Sequence, residues 1–573
     1  MQGRRSIPLH HLNRRSLLAG AFTALGATGL DGLFPAWAQA VSPGVTPRDP
    51  DVLGGEEIRL TAGHRAIAID GRSGHAITVN GTLPGPLLRL REGQTVRITV
   101  DNRLDEDTSI HWHGLLVPFD QDGVPGVSFP GIPAGESFTY DFPLIQAGTY
   151  WYHSHSGMQE PMGQYGPIVI DPEGTDPIRS DREHVLVLSD WSPIHPHRIM
   201  TRLKQQSGYF NWQKQTLASL VGGRDQRLKD RLEWGRMRME PSDILDVTGA
   251  TYSYLVNGHG NVGNWTGLFR PGERVRLRII NAAAMTIFNI RIPGLRMTVV
   301  AADGQPVKPV AVDEIQIGNA ETYDVIVEPG EPRAYAFVAE AIDRSGLVRA
   351  TLAPQAGMVA PIPPRRPRPL ATMRDMGMDM SAMPGMTMDM SMRNPAHAPG
   401  MALTPGVQTI APMPADRTNE PGQGLRGAEH KVLVYADLQA LARNPDPRPP
   451  SRALEIHLTG NMERYMWAFD GKAYSPVLDP VPFRAGERVR VTLVNDTMMA
   501  HPIHLHGHFF ELVTGKGDHA PRKHTVTVAP GGIVMFDLTA DAVGDWAFHC
   551  HMMLHMHAGM FQVVTVRADG DAA

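Results

Sequence analysis

The sequence predicts an all-β protein built from three copies of one Greek-key sandwich or barrel domain. A glycine turn followed by strict alternation of apolar and polar residues occurs three times, at 88–102, 268–281 and 482–496. Such alternation is typical of a strand with one buried face. A short Asn-Gly or Asp-Gly turn precedes each copy and favours a hairpin. Short alternating strands with regular turns are typical of β-sandwiches and barrels.

The repeat also sets the expected domains. A second alternating strand lies late in each copy, so we predict domain 1 at about 50–180, domain 2 at 181–355 and domain 3 at 429–568. Residues 198–238 are charged and long-chained, which indicates a helical excursion within domain 2. Residues 356–428 are rich in proline and then methionine without apolar periodicity, which indicates a linker or mobile insertion.

Composition narrows the function classes. Apolar residues form 42% of the 573 residues, enough for globular cores and too few for a polytopic membrane protein. The formal net charge is -5 and no basic stripe is present, so we expect no nucleic-acid partner. The single cysteine, Cys550, excludes an intramolecular disulfide, whereas 29 methionines and 25 histidines supply ligands that favour copper.

The N-terminus has the features of an export signal. Arg14-Arg15 precedes an apolar run to about Leu33, and A-x-A cleavage patterns follow at 36–38 and 38–40. These features make residues 1–40 a signal peptide, and the paired arginines indicate the twin-arginine route. A retained membrane anchor is the alternative. We expect a periplasmic mature protein with no stable membrane insertion.

Four histidine pairs are the strongest functional signal. Each pair places two imidazoles two residues apart, and on a strand such side chains share one face. Two pairs lie in domain 1 and two in domain 3, whereas the matching strand of domain 2 has Ala336 and Val338. We therefore predict that the pairs meet between domains 1 and 3, with domain 2 as a copper-free spacer. The eight histidines are His111, His113, His153, His155, His504, His506, His549 and His551.

Cys550 lies between the two histidines of the last pair, so on a strand it faces away from both. A copper bound by its thiolate would be joined to the histidine cluster through the bonds of one strand. His501 and His555 complete a His₂Cys set, and Met560 follows as a weak axial ligand. This combination is the blue-copper pattern.

Each feature alone has an ordinary explanation. A single H-x-H pair is more often structural, solvent-facing or part of a zinc site, and a lone buried cysteine is usually inert packing. The C-x-x-C and H-E-x-x-H patterns of zinc sites are absent. Four pairs, a flanked cysteine and the blue-copper spacing together favour copper.

These residues resemble the multicopper oxidases, and among them the periplasmic copper-resistance oxidases of the copper-resistance protein A type. The resemblance covers nearly the whole mature chain, including segments 122–132, 148–157, 209–211, 254–258 and 495–499. It implies three cupredoxin domains and four copper ions, one in the blue site and three in a cluster that reduces O₂ to water. His111 and His504 would hold the second mononuclear copper. The paired coppers would take His113, His153, His155, His506, His549 and His551.

Two positions bear on proton supply. Asp122, nine residues after His113, matches the family's carboxylate beside the cluster, so we expect a proton relay or an orienting group. An ordinary Asp-Gly turn is the alternative. Many relatives have a glutamate directly after the last blue-copper histidine, whereas Met556 and His557 follow His555 here, which leaves the second proton path unassigned.

A methionine-rich run at 373–392 suggests the electron donor. Thioethers favour Cu(I) over Cu(II) and do not titrate, so we hypothesise that this run gathers Cu(I), with Asp496 and Met499 as gateway ligands near His501. A linker of biased composition is the alternative. The candidate Cu(I) ligands within the run are Met376, Met378, Met380, Met386, Met388 and Met390.

Three functions fit these features: a cuprous oxidase that protects the periplasm from copper, a laccase-like phenol oxidase, and a non-enzymatic copper-sequestering protein. The expected partners are O₂, Cu(I) or a small phenol, and a periplasmic copper chaperone. Asp122 and Cys550 are the expected catalytic residues beside the copper ligands.

Overall fold

Strands dominate the computed structural model, which describes residues 50–223, 225–378 and 391–568. All of these belong to one compact unit. The predicted signal peptide lies outside the described residues, as do Met380, Met386, Met388 and Met390.

Domain 1 consists of two sheets. Its strands are β1 Val52–Leu53, β2 Glu57–Ile69, β3 Arg72–Val79, β4 Leu87–Arg91, β5 Thr95–Asn102, β6 His111–His113, β7 Ser137–Pro143, β8 Gly148–His153 and β9 Tyr165–Asp171. The sheet orders are β3-β2-β5-β7 and β1-β4-β9-β8-β6. The histidine-bearing strands β6 and β8 therefore lie together at one edge of the second sheet.

Domain 2 has the same plan with larger sheets. Its strands are β10 Arg182–Trp191, β11 Ser253–Val256, β12 Thr266–Leu268, β13 Val275–Asn281, β14 Phe288–Arg291, β15 Met297–Ala302, β16 Gln305–Val312, β17 Glu314–Ile317, β18 Thr322–Val327, β19 Tyr335–Ala341 and β20 Leu347–Ala353. The sheet orders are β11-β10-β13-β18-β15-β16 and β12-β20-β19-β14-β17.

Domain 3 repeats the plan again. After a short strand, β21 Ala415–Asp416, its strands are β22 Arg452–Asn461, β23 Met466–Phe469, β24 Val481–Arg484, β25 Arg488–Asn495, β26 His501–Leu505, β27 Phe510–Leu512, β28 Arg522–Lys523, β29 Thr525–Val528, β30 Gly532–Thr539, β31 Gly544–Cys550 and β32 Phe561–Arg567. The sheet orders are β23-β22-β25-β30-β27-β28, with β21 beside β30, and β24-β32-β31-β26-β29.

The repeated motif forms the same strand in all three domains. Strands β5, β13 and β25 each pair in parallel with the first long strand of their domain, β2, β10 or β22. On the other side each pairs antiparallel with a later strand, β7, β18 or β30. Burial alternates along β5 as the pattern predicts, since Val96 and Ile98 are buried and Thr95 and Arg97 are exposed. The predicted all-β fold with three copies of one domain is confirmed.

The predicted excursion in domain 2 contains three short helices, α1 Pro196–Gln205, α2 Leu217–Val221 and α3 Leu228–Arg236. Helix α1 begins at a proline and buries Ile199 and Leu203, which lie on one face because they are four residues apart. A fourth helix, α4 Met553–His557, follows β31. None of the helices in the described ranges has the length and apolar character needed to cross a membrane.

The described parts of the insertion at 356–428 pack against the domains around them. Arg366 forms ion pairs with the buried Glu314 and Glu340 of domain 2. Ile410 is fully buried, and β21 extends a sheet of domain 3. The packed flanks fix the points from which the methionine-rich run departs and to which it returns.

Candidate metal centre

The four histidine pairs lie on or just beyond neighbouring strands. In domain 1, His111 on β6 faces His153 on β8 across an antiparallel pair. In domain 3, His504 on β26 faces His549 on β31 in the same way. Residues that face each other across adjacent strands have close side chains, so each domain presents a cluster of imidazoles from one sheet edge.

The two domains bring their histidines together at one buried place. The rings of His111 and His506 are 3.9 Å apart across the domain boundary, and the ring of His113 stacks 3.8 Å from that of His504. Within domain 3, His506 Nε2 lies 3.1 Å from His549 Nε2. Among the described residues, three groups made only of paired histidines have ligand atoms within 4.8 Å of one another: His113, His153 and His551; His155, His506 and His549; and His111, His504 and His506.

The electrostatics of this cluster suit a metal. Burial lowers the pKa of His549 to about 4, so this imidazole stays neutral and keeps a lone pair for a metal. Buried polar atoms without partners are rare and indicate a ligand, and a set of imidazoles fits copper. The Nε2 atoms without a hydrogen-bond partner in the described chain include those of His111, His113, His153, His155, His504 and His551.

Asp122 lies beside two of these histidines and is itself fully buried. His506 Nδ1 donates to Asp122 Oδ2 at 3.0 Å, and His111 Nδ1 lies 3.3 Å from Asp122 Oδ1 and donates to the Asp122 carbonyl at 2.8 Å. A proton held on Nδ1 leaves Nε2 as the ligand atom. Asp122 belongs to domain 1, and its carboxylate holds the ring of His506 in domain 3. A residue that only formed a turn would not make this contact.

A second buried carboxylate was not predicted from the sequence. Glu160 Oε2 lies 2.6 Å from His153 Nδ1, on the side of the ring away from the other histidines. Burial raises the pKa of Glu160 well above its ordinary value. Glu160 begins a short 3₁₀ helix, Glu160–Met162, seven residues after His153, and no periodic pattern relates the two residues.

Cys550 belongs to a separate group. Its Sγ lies 3.6 Å from His501 Nδ1 and 3.8 Å from His555 Nδ1, and those two nitrogens are 3.2 Å apart. All three side chains are buried, and burial raises the pKa of the thiol. Met560 is also buried, and its carbonyl accepts from the Cys550 backbone N–H at 3.1 Å.

Strand β31 separates the two kinds of site. His549 joins one histidine group and His551 another, while Cys550 between them joins His501 and His555. The three consecutive side chains thus point to different places, because neighbouring residues of a strand face opposite sides.

Domain 2 contributes directly to the surroundings of the cysteine site. His555 Nε2 donates to Asp246 Oδ2 at 2.7 Å, and the hydroxyl of Tyr465 donates to the same oxygen at 2.9 Å. The ring of Trp467 stacks 4.0 Å from that of His555. Asp246 is 309 residues from His555 and lies in an irregular segment, so no motif indicated it. Among the described residues, domain 2 supplies none of the histidines and cysteine in these groups.

The candidate Cu(I) residues that the structure describes are packed. Met376 and Met499 are buried, and Met378 is half-buried against the core. Asp496 Oδ2 accepts from His457 Nδ1 at 2.7 Å, and its Oδ1 accepts from the Ala411 N–H at 2.8 Å. The Asp496 carboxylate is therefore already hydrogen-bonded at both oxygens.

A ninth imidazole also reaches the histidine cluster. His524 is buried, and its ligand atom lies within 4.8 Å of those of His113 and His504. No sequence pattern indicated it, because it is a lone histidine in Lys-His-Thr, outside any H-x-H pair.

Known proteins share both this fold and these motifs. Family models described as multicopper oxidase match three successive parts of the chain, at 61–175, 182–357 and 447–570. The chain belongs to the multicopper oxidase family. It is therefore an oxidoreductase with copper as its cofactor and O₂ as its acceptor.

The similarity extends to particular relatives. The copper resistance protein A homolog of Pseudomonas syringae pv. tomato is 47% identical over 590 residues, covering 97% of this chain and 99% of the relative. Copper resistance protein A of Escherichia coli is 46% identical over 604 residues, with the same coverage. The solved laccase of Botrytis aclada matches the fold with a TM-score of 0.64 at 22% identity, covering 91% of this chain and 88% of that one.

Proposed function

We propose that this protein oxidises Cu(I) with O₂ and thereby protects the periplasm from copper. The balanced reaction is 4 Cu(I) + O₂ + 4 H⁺ → 4 Cu(II) + 2 H₂O. The observation that carries the proposal is β31, on which Cys550 faces one group of ligand atoms and its two neighbours face others. Similarity to two copper resistance proteins over 97% of the chain supports copper as the substrate.

The proposed ligand set follows the groups in the structure. A blue copper would be held by His501, Cys550, His555 and Met560. A second mononuclear copper would be held by His111 and His504, and two paired coppers by His113, His153 and His551 and by His155, His506 and His549. When bound, copper supplies one-electron redox chemistry beside Cys550 and the reduction of O₂ among the paired histidines.

The chain provides the route for electrons between these sites. Cys550 is covalently joined through the backbone to both His549 and His551, so electrons can pass between the two sites along covalent bonds. Because burial raises the pKa of the Cys550 thiol, a bound cation has to stabilise the thiolate. Asp246 of domain 2 accepts a hydrogen bond from His555 Nε2, which leaves His555 Nδ1 as the ligand atom beside Cys550.

Carboxylates position the ligands and supply protons. Asp122 holds Nδ1 of His506 and lies next to that of His111, so it orients one histidine from each domain. We propose that it also relays protons to the site of O₂ reduction. Glu160 beside His153 is the candidate for the second proton path, because Met556 occupies the position of the usual glutamate.

The surroundings of the blue site favour a small donor. His501 and His555 are fully buried, and Trp467, Tyr465 and Asp246 cover the outer side of His555. A phenol needs an exposed imidazole edge to make direct contact, whereas a single Cu(I) ion can be passed between ligands.

The insertion holds the two described ends of the methionine-rich run beside a segment that contacts Asp496. Ile410 N–H donates to the Met392 carbonyl at 2.6 Å, and Met413 N–H donates to the Gly377 carbonyl at 2.9 Å, so residues 410–413 hold both ends of the run. The next residue in that segment, Ala411, is hydrogen-bonded to Asp496. We therefore propose that the methionines collect Cu(I) and that Asp496 and Met499 pass it towards His501.

The same proposal assigns the protein a cellular location and a source of Cu(I). The Arg14-Arg15 signal would export the folded protein to the periplasm, where a copper chaperone would be the source of Cu(I).

The test compares oxygen uptake with Cu(I) and with 2,6-dimethoxyphenol. Replacing Met380, Met386, Met388 and Met390 by leucine keeps apolar volume and removes the sulfur. We expect kcat/KM for Cu(I) to fall about tenfold, which corresponds to about 1.4 kcal/mol, with phenol turnover unchanged. Met401→Leu/Met413→Leu, in the same insertion but outside the dense run, is the matched control and should behave as the parent.

Two results would favour the alternatives. Phenol turnover faster than Cu(I) oxidation in every variant would indicate a laccase-like oxidase. Copper binding without oxygen uptake from either donor would indicate a sequestering protein.

A further inference from the structure

We infer that Asp303 of domain 2 is a positioning residue that sets the orientation of the proposed copper ligand His504 in domain 3. The inference rests on the proposed copper cluster and gives a part in it to domain 2, which supplies none of the ligand groups among the described residues. Its basis is a series of buried hydrogen bonds that runs from Asp303 through the backbone at His524 to the His504 ring.

The ring of His504 is oriented by a main-chain carbonyl. His504 Nδ1 donates to the His524 carbonyl at 2.7 Å and lies 3.2 Å from Thr525 Oγ1. A proton held on Nδ1 leaves Nε2, which has no partner in the described chain, as the ligand atom. His111 of domain 1 is arranged in the same way, because its Nδ1 donates to the Asp122 carbonyl. The two proposed ligands of one copper therefore depend on the directions of two carbonyl groups.

The carbonyl that holds His504 lies at a corner between the two sheets of domain 3. Strand β28 belongs to one sheet and β29 to the other, and His524 lies between them. The N–H groups of His524 and Thr525 donate to Asp303 Oδ2 at 3.2 and 3.1 Å. Because the Thr525 N–H and the His524 carbonyl belong to one planar peptide unit, holding the N–H also fixes the direction of the carbonyl.

Asp303 is itself held firmly at the tip of the hairpin between β15 and β16. Its φ is 46° and that of Gly304 is 74°, which is the left-handed pair of a two-residue hairpin turn. Asp303 Oδ1 accepts from the Thr322 N–H at 3.1 Å. A Cβ at Gly304 would lie 2.4 Å from the hydroxyl of Tyr150 in domain 1. The tip of this hairpin therefore contacts both of the domains that share the histidine cluster.

A buried ion pair ties the same corner of domain 3 to domain 2. Lys523 is fully buried, and its Nζ lies 3.0 Å from Asp303 Oδ1 and 3.2 Å from Glu321 Oε1. A buried ammonium group without counter-charges is costly, so these carboxylates keep the corner docked on domain 2. Glu321 also accepts from the Tyr435 hydroxyl at 2.7 Å, so it keeps a partner when Lys523 is replaced.

The experiment separates docking of the domains from orientation of the carbonyl, using the copper-loaded full chain. Asp303→Asn/Lys523→Met and Asp303→Ala/Lys523→Met both lack the buried ion pair, but only the asparagine variant keeps an acceptor oxygen at position 303. Electron paramagnetic resonance gives the hyperfine splitting of the non-blue copper, and a chelator titration measures the affinity for it. We expect the asparagine variant to match the parent, and the alanine variant to show a changed splitting and an affinity lower by about tenfold.

Two further readouts locate the effect. The visible absorption of the Cys550 copper should be the same in the parent and both variants, and it reports correct folding. Oxygen uptake by the alanine variant should show a lower kcat with an unchanged KM for Cu(I), because the change lies at the cluster and not at the site where the donor is oxidised.

An unchanged splitting and affinity in the alanine variant, or equal changes in both variants, would overturn the positioning role. If either variant does not fold, hydrogen exchange in the metal-free parent decides. The N–H groups of His524 and Thr525 should then exchange within about tenfold of the rate of the Asp303 N–H, which donates to the Thr322 carbonyl, and faster exchange would overturn the inference. A parent that holds no non-blue copper would instead overturn the proposed cluster, and this inference with it.

Discussion

Equivalent pairs of strands in domains 2 and 3 carry different side chains: domain 3 has histidines there and domain 2 does not. In domain 3, His504 on β26 faces His549 on β31, whereas on the matching strands of domain 2, β14 and β19, Arg291 faces Val338 and Ile290 faces Ala339. The sheets have equivalent orders, with the pair in neighbouring positions. The fold therefore forms without metal ligands at this place.

Buried polar groups make the difference clearer. Glu340 on β19 is fully buried, and its Oε2 lies 2.6 Å from Arg366 Nε and 3.3 Å from Arg344 Nη1. The imidazoles of domain 3 are as buried, yet the Nε2 atoms of His504 and His551 have no partner in the described chain. The protein satisfies the buried Glu340 and so stabilises domain 2, whereas the unpaired Nε2 atoms of His504 and His551 are available to a metal.

Glu340→Ala tests the structural half of this comparison and should have the largest effect on stability. Removing one partner of a buried ion pair leaves the other charge uncompensated, so the free energy of unfolding should fall by about 3–5 kcal/mol. Urea denaturation measures this change. Copper content and kcat at 25 °C should remain those of the parent, and a loss of copper in this variant would show that domain 2 is not independent of the sites.

Acid tests the buried-histidine half of this comparison in the metal-free protein. The folded-state pKa of His549 is about 4, below the value of about 6.5 for an unfolded chain. The unfolded state then binds more protons between these values, so stability is full above about pH 6.5 and falls as the pH drops towards 4. His549 alone should contribute about 3 kcal/mol to this loss.

Urea denaturation at pH values from 7 to 4.5 measures the acid effect. Hydrogen exchange should show that β31 loses protection at higher pH than β19. Copper should oppose the loss, because a bound metal competes with protons for the same nitrogens. Equal acid sensitivity of the two strands would contradict the comparison.

Asp122→Asn should have the smallest effect of the three on stability and a clear effect on turnover. It removes the carboxylate that holds Nδ1 of His506, so we expect oxygen uptake to fall by roughly 10–100-fold. Asp120→Asn, on the same turn but exposed to solvent, is the control and should retain parental activity. If oxygen uptake is unchanged in Asp122→Asn, the only role of Asp122 is to form the turn.

The fold was largely predictable because its signals are local and repeated. Alternation along β5, β13 and β25 is a property of each strand alone, and its threefold recurrence predicts three similar domains. The exact domain boundaries remain a prediction. The packing of the insertion onto domains 2 and 3 had no such signal, because it depends on contacts between residues distant in sequence, such as Arg366 with Glu340 and Ala411 with Asp496, rather than on periodicity.

The site was predictable where its residues lie at short spacing. The alternation of a strand separates Cys550 from His549 and His551, and this needs no knowledge of tertiary structure. Glu160, Asp246 and His524 could not be found in this way. Asp246 and His524 are single residues brought to the site by long-range folding, and Glu160 begins a short 3₁₀ helix that has no periodic relation to His153.

Cys550→Ser tests most directly whether this residue joins two separate metal sites. The copper content and the visible spectrum of the parent and the variant are measured together, with oxygen uptake from Cu(I). We expect the thiolate-to-copper absorption and one of about four coppers to be lost, the other three to remain, and uptake to fall at least about 1,000-fold. Retention of the absorption or of full uptake, or loss of all copper at once, would contradict the account.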